Sequence, residues 1–505
     1  MPNSVKTSFR DSIVYGLGNI AVKVVGFLLI PLYTNPRYFS VDDFGIIAVL
    51  DISGLILISL MASGLPQSMM RWYWDKDYSG NRKGIFFMSL LFQIFISILF
   101  CTFLIPAGKP LSRAIFDTDV MTDAIKLLII SSALQAINNL INTLMRVQAR
   151  SVLFSVANLL KLITVLGLTI YLITVRGMGI SGIYLAQVIG NLFFIILLAP
   201  YSIRNSKPYF DAALFRSMSR FGYPLLLANF ASAVLTAIDR YALNTMALLK
   251  FVAVYTMAYK IASVLKLVIV DSIKMALTPM VLKKMNTSDN HLFYKKSMLY
   301  SSYVLMLGII AVSLFSYEIL KVITRSTSFW SAWIVVPILA LSVFFVNMRE
   351  TTSYGLLIKR NSRVIGINVV ISAVLNIVLN ILLIPLWNIF GTAVATLVTQ
   401  IVYWRLNYQS SQKEYFIPYE HRKVITLFLT GAVLSFAGLA LNDISVVPRL
   451  LLKTLCLVVF PFVLYLFNFY EKDELQALKG LVRKWSDVSK LGANLRSLKD
   501  SEKEI

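Results

Sequence analysis

The chain alternates between long apolar runs and short polar segments, with few departures over 505 residues. About 20 apolar residues in a helix, rising ~1.5 Å each, cover the ~30 Å hydrocarbon core of a bilayer. Fourteen such runs are predicted as membrane-spanning helices. The first seven lie near 12–33, 44–65, 84–105, 123–145, 152–174, 180–200 and 221–246. The others lie near 250–282, 297–317, 330–348, 364–386, 389–404, 424–442 and 449–469. The N-terminal run lacks a small-residue cleavage pattern, so it reads as a first span and not a removable signal.

Within several runs the polar residues keep helical spacing and so share one face. Ser12, Gly16, Asn19 and Lys23 do so in the first run, and Gln135, Asn138, Asn139 and Asn142 in the fourth. Asn158, Lys161 and Thr164 follow in the fifth, and Asn368, Ser372, Asn376 and Asn380 in the eleventh. Such stripes either line a polar lumen or join helices to one another.

Charge inside the runs narrows the choice. An ionised side chain at bilayer depth costs at least ~2.5–3.5 kcal/mol and faces a bundle interior or a wet cavity. The cations are Lys23, Lys161, Arg240, Lys260, Lys266 and Lys274; the acids are Asp51, Asp239, Asp271 and, at a span end, Glu350. Asp271 and Lys274 are spaced to pair along one helix. Asp239 and Arg240 are adjacent, so each needs a partner elsewhere. Lys126, Arg349 and Lys453 stand near span ends, where long side chains can snorkel to the interface. A positive excess remains, and it predicts a cationic lumen with Arg349 at its margin.

Composition agrees: 57% of residues are hydrophobic, 14% are charged, and mean hydropathy is +0.73, a balance outside soluble classes. The net charge of +23 would suggest nucleic acid in a soluble protein. Here it follows membrane topology: 31 Lys and Arg fall on one side of the predicted spans and 8 on the other. By the positive-inside rule both termini are expected in the cytoplasm, and nucleic acid is not an expected partner. Cys101 and Cys456 lie in apolar runs, His291 and His421 in loops, and none has metal-ligand spacing. No Gly-rich phosphate loop is present, so no ATP motor, cofactor or metal is expected.

Short segments also recur at a near-constant offset. Pro31-Leu-Tyr-Thr with Phe44-Gly-Ile-Ile-Ala corresponds to Asp239-Arg-Tyr-Ala with Val252-Ala-Val-Tyr-Thr, and Gly182-Ile-Tyr-Leu-Ala to Gly391-Thr-Ala-Val-Ala. Six spans per repeat give both halves one orientation. The expected architecture is an all-α polytopic membrane protein of about fourteen transmembrane helices. Two pseudo-symmetric six-helix bundles, 1–210 and 211–410, surround a central cationic cavity. Two extra helices at 411–470 and a basic amphipathic cytoplasmic tail at 471–505 follow.

Several motifs resemble those of a known family. They are Pro31-Leu-Tyr with Asp43-Phe-Gly-Ile-Ile-Ala, Gly64-Leu-Pro-Gln-Ser-Met-Met-Arg71, and Asp239-Arg240-Tyr with Val254-Tyr255 and Ala258-Tyr-Lys260-Ile. Asn376 to Asn380, Leu383-Ile-Pro385 and Phe390-Gly391-Thr-Ala-Val-Ala-Thr396 continue the series. Over roughly 10–410 the chain resembles the polysaccharide-export branch of the superfamily that also holds multidrug extruders and lipid II flippases.

The resemblance implies a Wzx-type flippase and not an enzyme. Such a protein turns an undecaprenyl-pyrophosphate-linked oligosaccharide (an O-antigen or capsule repeat unit) to the outer leaflet of the bacterial inner membrane. It implies alternating access, a coupling ion (proton or sodium), and polysaccharide polymerase and chain-length proteins as partners. Two departures stand out: Ile371 occupies the place of Lys161 in the second half, and Glu350 follows Arg349.

The physical reading fits that cargo. A pyrophosphate leaving water needs cations on a low-dielectric wall, and Lys23, Lys161, Arg240, Lys260, Lys266, Lys274 and Arg349 supply them. Asn19, Gln135, Asn138, Asn142, Asn158, Tyr255, Tyr259, Asn368 and Asn376 are candidate sugar-facing residues. Asp51, Asp239, Asp271 and Glu350 are candidate coupling or partner acids. A cation-coupled drug extruder and a lipid II flippase share the fold, although drug cations suit acidic cavities. An oligosaccharide polymerase needs a large outward loop with acid/base residues, and the longest expected here is 106–122.

Overall fold

The computed structural model describes residues 27–472 except 286, 288, 289 and 360, together with 475 and 476. Among these residues every regular element is helical. Hydrocarbon offers the backbone no hydrogen-bond partner, so a spanning segment must satisfy itself along its own axis. The elements that position the site are α1 (Val41–Met61), α2 (Leu65–Tyr73), α3 (Arg82–Leu104), α4 (Gly108–Phe116), α5 (Thr122–Val147), α6 (Ser151–Thr174) and α7 (Gly179–Leu197). The chain continues with α8 (Ala212–Met246), α9 (Leu249–Leu265), a π-helical turn (Lys266–Val270), α10 (Asp271–Lys283), α11 (Asn290–Leu314), α12 (Ser316–Ile323) and α13 (Val336–Thr352). It ends with α14 (Ser362–Glu414), α15 (His421–Ala440) and α16 (Val446–Leu466).

Helix ends follow local chemistry. Ser40 starts α1 with a capping box: its hydroxyl accepts from the Asp43 amide at 3.0 Å, and the Asp43 carboxylate accepts from the Ser40 amide at 2.8 Å. Gly64 ends that run at φ +68°, where a Cβ would also stand 2.2 Å from the Gly222 carbonyl oxygen of α8. Only glycine fits both demands. The crossing is fastened by Ser68 of α2, whose hydroxyl donates to the Met218 carbonyl at 2.9 Å.

Eleven described helices are long and apolar enough to cross a membrane, and a twelfth is formed if the bent pair Thr327–Ile334 and Val336–Ile358 is one span. The expected count was about fourteen. Most of the expected first span lies outside the described residues. The 53-residue α14 also holds a reversal, because Asn388 has φ 48° and ψ −124°. A Cβ on Gly391 would fall 2.2 Å from the Leu383 carbonyl oxygen, and the Asn376 amide donates to the Thr399 hydroxyl at 3.3 Å. Residues so far apart in sequence touch only if α14 folds back as two antiparallel helices. They coincide with the expected eleventh and twelfth runs.

Helix α1 packs against α5, α8 and α9; α8 packs on α14, and α9 on α13. One apolar cluster therefore runs from Ile47 and Leu50 of α1 through Tyr255 and Ala258 of α9 to Leu339 and Phe344 of α13. The short helices α4 and α12 recur near the repeat offset of about 208.

The last two helices are tied to α11 and α12 at both ends. Lys453 does not snorkel as its place near a span end suggested. It is wholly buried, with Nζ 2.8 Å from Glu318 Oε2 and 2.7 Å from Asn442 Oδ1. Arg449 Nε reaches the other Glu318 oxygen at 2.8 Å. At the opposite end, Glu420 pairs with Lys295 at 2.6 Å and Lys423 at 2.7 Å, and Glu471 pairs with Lys296 at 2.6 Å. Nearly all of the expected 471–505 tail helix lies outside the described residues.

Candidate functional site

The predicted charges and amides fall into three groups. In the first, α5 and α6 run side by side and bring Gln135 to Lys161, whose ammonium donates to Gln135 Oε1 at 2.5 Å. Gln135 Nε2 donates onward to Asn139 at 2.9 Å, and Asn158 Nδ2 donates to Asn142 at 2.9 Å. Lys161 Nζ also lies 5.6 Å from the centre of the Phe194 ring. No carboxylate pairs with Lys161 among the described residues. Asn138 departs from the expected lining: it is fully buried and donates to Asn191 Oδ1 at 3.0 Å, so it joins α5 to α7.

The second group surrounds Asp239 and Arg240, whose adjacency on α8 sends their side chains to different neighbours. Asp239 is buried, and neutral donors meet both of its oxygens. Tyr255 of α9 donates at 2.5 Å and Thr396 at 2.8 Å to Oδ2, and Asn380 donates at 3.0 Å to Oδ1. Tyr255 and Thr396 touch each other at 3.0 Å. The acid thus gathers α8, α9 and both arms of α14, with no ion pair among the described residues. A carboxylate out of water needs such charge-assisted bonds, and here hydroxyl and amide groups provide them.

Arg240 stacks 3.9 Å over the Tyr259 ring centre and 5.3 Å from that of Tyr255. One guanidinium nitrogen donates to the Thr236 carbonyl at 2.9 Å, while its buried Nε has no hydrogen-bond partner among the described residues. Tyr255, Asn368 and Asn376 are buried in helix contacts, so they do not line open space as expected.

Nearby, Asp51 of α1 accepts from Tyr184 at 3.2 Å, and Lys260 lies on α9, which packs against α1. Asp51 is exposed to solvent. Lys260 Nζ sits 5.1 Å from the Phe44 ring centre.

The third group is Glu350 of α13, held by Lys274 of α10 at 2.6 Å and by its neighbour Arg349 at 3.2 Å. Arg349 further donates to Gln400 at 3.2 Å and stacks 4.2 Å over Tyr403. The ion pair described for Lys274 is therefore with Glu350, where the sequence spacing pointed to Asp271. Lys266 is exposed at the π-helical turn, and Asp271 is half-buried. Asn19 and Lys23 lie outside the described residues.

The sequence reading passed over Thr396 and left Asn380 out of the site, although both signals were present. Thr392, Thr396 and Thr399 keep helical spacing, and Asn380 stands one turn after Asn376. Tyr184, Gln400 and Glu318 carried no local signal. Among the described residues no group of three His, Cys, Asp or Glu is placed to hold a metal.

Comparisons with known proteins follow this geometry. Residues 8–285 match the family described as polysaccharide biosynthesis protein, more than half of the chain. No curated protein matches the chain. Among solved structures, the lipid II flippase MurJ in an inward closed conformation is similar, with a TM-score of 0.67 at 14% identity over 91% of this chain and 100% of that one. An inward-facing multidrug resistance MATE family transporter of the MOP superfamily gives 0.61 at 14% identity, over 81% of this chain and 98% of that one. A MOP superfamily transporter from Pyrococcus furiosus, described by the reverse polarity of its binding pocket, gives 0.58 at 15% identity, over 84% and 96%. At these identities the likeness is one of fold, and the three solved proteins that share it are described as a flippase and transporters. The chain is a multi-pass membrane protein that belongs to the polysaccharide biosynthesis protein family.

Proposed function

We propose that the protein carries an undecaprenyl-pyrophosphate-linked oligosaccharide repeat unit from the inner to the outer leaflet of a bacterial cytoplasmic membrane. In this reading the halves 1–210 and 211–410 open alternately, and the basic loops and both termini face the cytoplasm. One observation carries it. Lys161 is held in the membrane interior by a neutral amide and an aromatic ring, with no acid beside it among the described residues. A cation left uncompensated there is suited to an anionic headgroup. Arg240 and Lys260 add positive charge that likewise makes no direct ion pair among the described residues, and Asn139, Asn142, Asn158 and Tyr259 supply groups for sugars.

Coupling fits the acids. Asp239 joins helices of the second half through neutral donors, so taking up a proton or sodium ion there would alter how α8, α9 and α14 meet. Asp51 of α1 and Lys260 of α9 stand on two helices that pack together across the halves. An inside-negative potential also favours outward movement of negative charge by about 2.3 kcal/mol per charge per 100 mV. A polysaccharide polymerase and chain-length proteins would take over the product.

Glycan export and membrane abundance, measured on the same strains, test the reading. Lys161→Ala should abolish export with abundance kept. Lys161→Arg should recover part of it, since it keeps the charge but presents a planar fork. Normal export by Lys161→Ala would overturn the cationic-lumen mechanism.

A further inference from the structure

A polar cavity, of about 440 Å³, lies on the face that carries the basic loops. Tyr73 and Trp74 at the end of α2, Arg82 at the start of α3, the α5–α6 turn Gln148-Ala149-Arg150, and Asn205 after α7 line it. It shares no residue with the three charged groups described above.

Its floor is locked by Gln148. Gln148 Nε2 donates to the Tyr73 hydroxyl at 2.7 Å and to Asn205 Oδ1 at 2.8 Å, while Oε1 accepts from the Tyr201 hydroxyl at 2.7 Å. With the amide spent on its neighbours, the free polarity of the cavity is cationic. Arg82 donates from Nε to the Tyr73 carbonyl at 3.1 Å and lies 4.4 Å from the Trp74 ring centre. Those contacts orient the guanidinium and leave its terminal nitrogens uncommitted among the described residues.

Arg150 is exposed. Neither arginine pairs with a carboxylate among the described residues. Asp75, in the same loop as Trp74, accepts from the Asp77 amide at 3.1 Å, and neither acid lines the cavity. Ala149 holds φ +53°, a left-handed conformation that a residue with a Cβ seldom adopts. Strain of this kind persists where the surroundings fix it, and it concentrates at functional sites. Two helices, α3 and α6, also begin at the cavity, and neither Asn81 nor Arg150 caps its helix with a side chain.

We propose that this cavity binds a phosphate group, with two guanidinium groups as its ligands, and that the phosphate belongs to the headgroup of an anionic phospholipid. A guanidinium fork suits the oxygens of a phosphate better than a single ammonium does. The lipid source follows from Trp74, which is 58% exposed beside the arginines, since indole rings favour the headgroup region. The proposal does not depend on what the lumen carries.

The test uses the delipidated full-length protein in detergent, with phosphatidylglycerol and phosphatidylcholine titrated by native mass spectrometry and glycerol phosphate by thermal shift. Phosphatidylglycerol should bind the wild type more tightly than phosphatidylcholine. Arg150→Gln should weaken its binding about tenfold, and Arg82→Gln with Arg150→Gln about a hundredfold, as expected for charged hydrogen bonds lost one by one. The Arg150→Gln side chain breaks no contact described here, so that variant keeps the test open should the double variant fold poorly. Stabilisation by glycerol phosphate alone, lost in the same variants, would support the phosphate site with a soluble ligand as its source. Unchanged phosphatidylglycerol and glycerol phosphate binding in both variants would overturn the proposal, as would equal loss in the control Arg363→Gln at the start of α14.

Discussion

Lys161 and Lys453 stand in apolar helices of similar character, and the structure gives them opposite surroundings. Lys453 is sealed from solvent against Glu318 and Asn442, with Arg449 on the other carboxylate oxygen. Lys161 is half-buried and, among the described residues, meets the Gln135 amide and the Phe194 ring. A lysine within a span is thus not by itself a binding group; its partner decides. A carboxylate turns it into a fastening, and a neutral amide leaves its charge available.

The largest expected effect falls on the fastening. Glu318→Gln leaves Lys453 and Arg449 without their counter-charge inside the protein, at a cost of about 3–5 kcal/mol. Thermal unfolding in detergent should show it as a large drop in Tm. Export should fall only as far as abundance falls. Lys453→Met should cost less, because Glu318 keeps Arg449. A Glu318→Gln protein as stable as the wild type would erase the distinction between the two lysines.

Asp239 lies between these extremes. Asp239→Ala removes the shared acceptor of Tyr255, Thr396 and Asn380. Tyr255 and Thr396 can still bond each other, and Asn380 keeps the Asn376 carbonyl at 2.9 Å. A loss of about 1–3 kcal/mol is expected, as for buried groups left partly unsatisfied. Asp239→Asn keeps an acceptor and should cost less. Loss of export by Asp239→Asn at unchanged Tm would mark the carboxylate as a coupling group, and a parallel loss of both would mark it as structural.

What the sequence revealed follows the same line. Apolar runs and helical stripes report the axis and face of a helix, so the spans and the α14 hairpin at Pro385–Gly391 were within reach. Stripes do not report what a face meets. Asn138 and Asn142 look alike in sequence, yet one bonds Asn191 in a sealed contact and the other meets Asn158. Ion pairs between distant segments were equally hidden: Glu318 lies in the short helix α12 and Lys453 in α16. Lys274 has a nearby acid in sequence and uses Glu350 of another helix.

A smaller stability effect is expected at Lys161 than at either acid. Lys161→Ala removes a charge and leaves Gln135 bonded to Asn139, so the change should stay within about 1 kcal/mol, the range of surface-like contacts. Gln135→Leu sharpens the comparison. If the Lys161 ammonium is hydrated, the variant should unfold near the wild-type temperature; a loss comparable to Glu318→Gln would make Lys161 another sealed cation.

The smallest effect concerns pH and the inner fastening of the C-terminal helices. Burial opposes ionisation of Glu420, but the bonds and charges of Lys295 and Lys423 outweigh it and hold the carboxyl below its ordinary value. Glu471 is lowered chiefly by its bond to Lys296, then by that to Lys423. A carboxyl lowered on folding stabilises fully above its unfolded pKa of about 4.3 and loses that contribution as pH falls through its folded value. Tm should therefore stay level from neutral pH down to about 5 and decline further below. The pairs are partly exposed and screened, so each contributes no more than about 1 kcal/mol. Glu420→Gln should lower Tm slightly at pH 7 and flatten the acid decline. A Tm of that variant that falls with acid as steeply as the wild type would assign the decline to other carboxylates, and high salt should shrink this effect while leaving the sealed Glu318 fastening nearly unchanged.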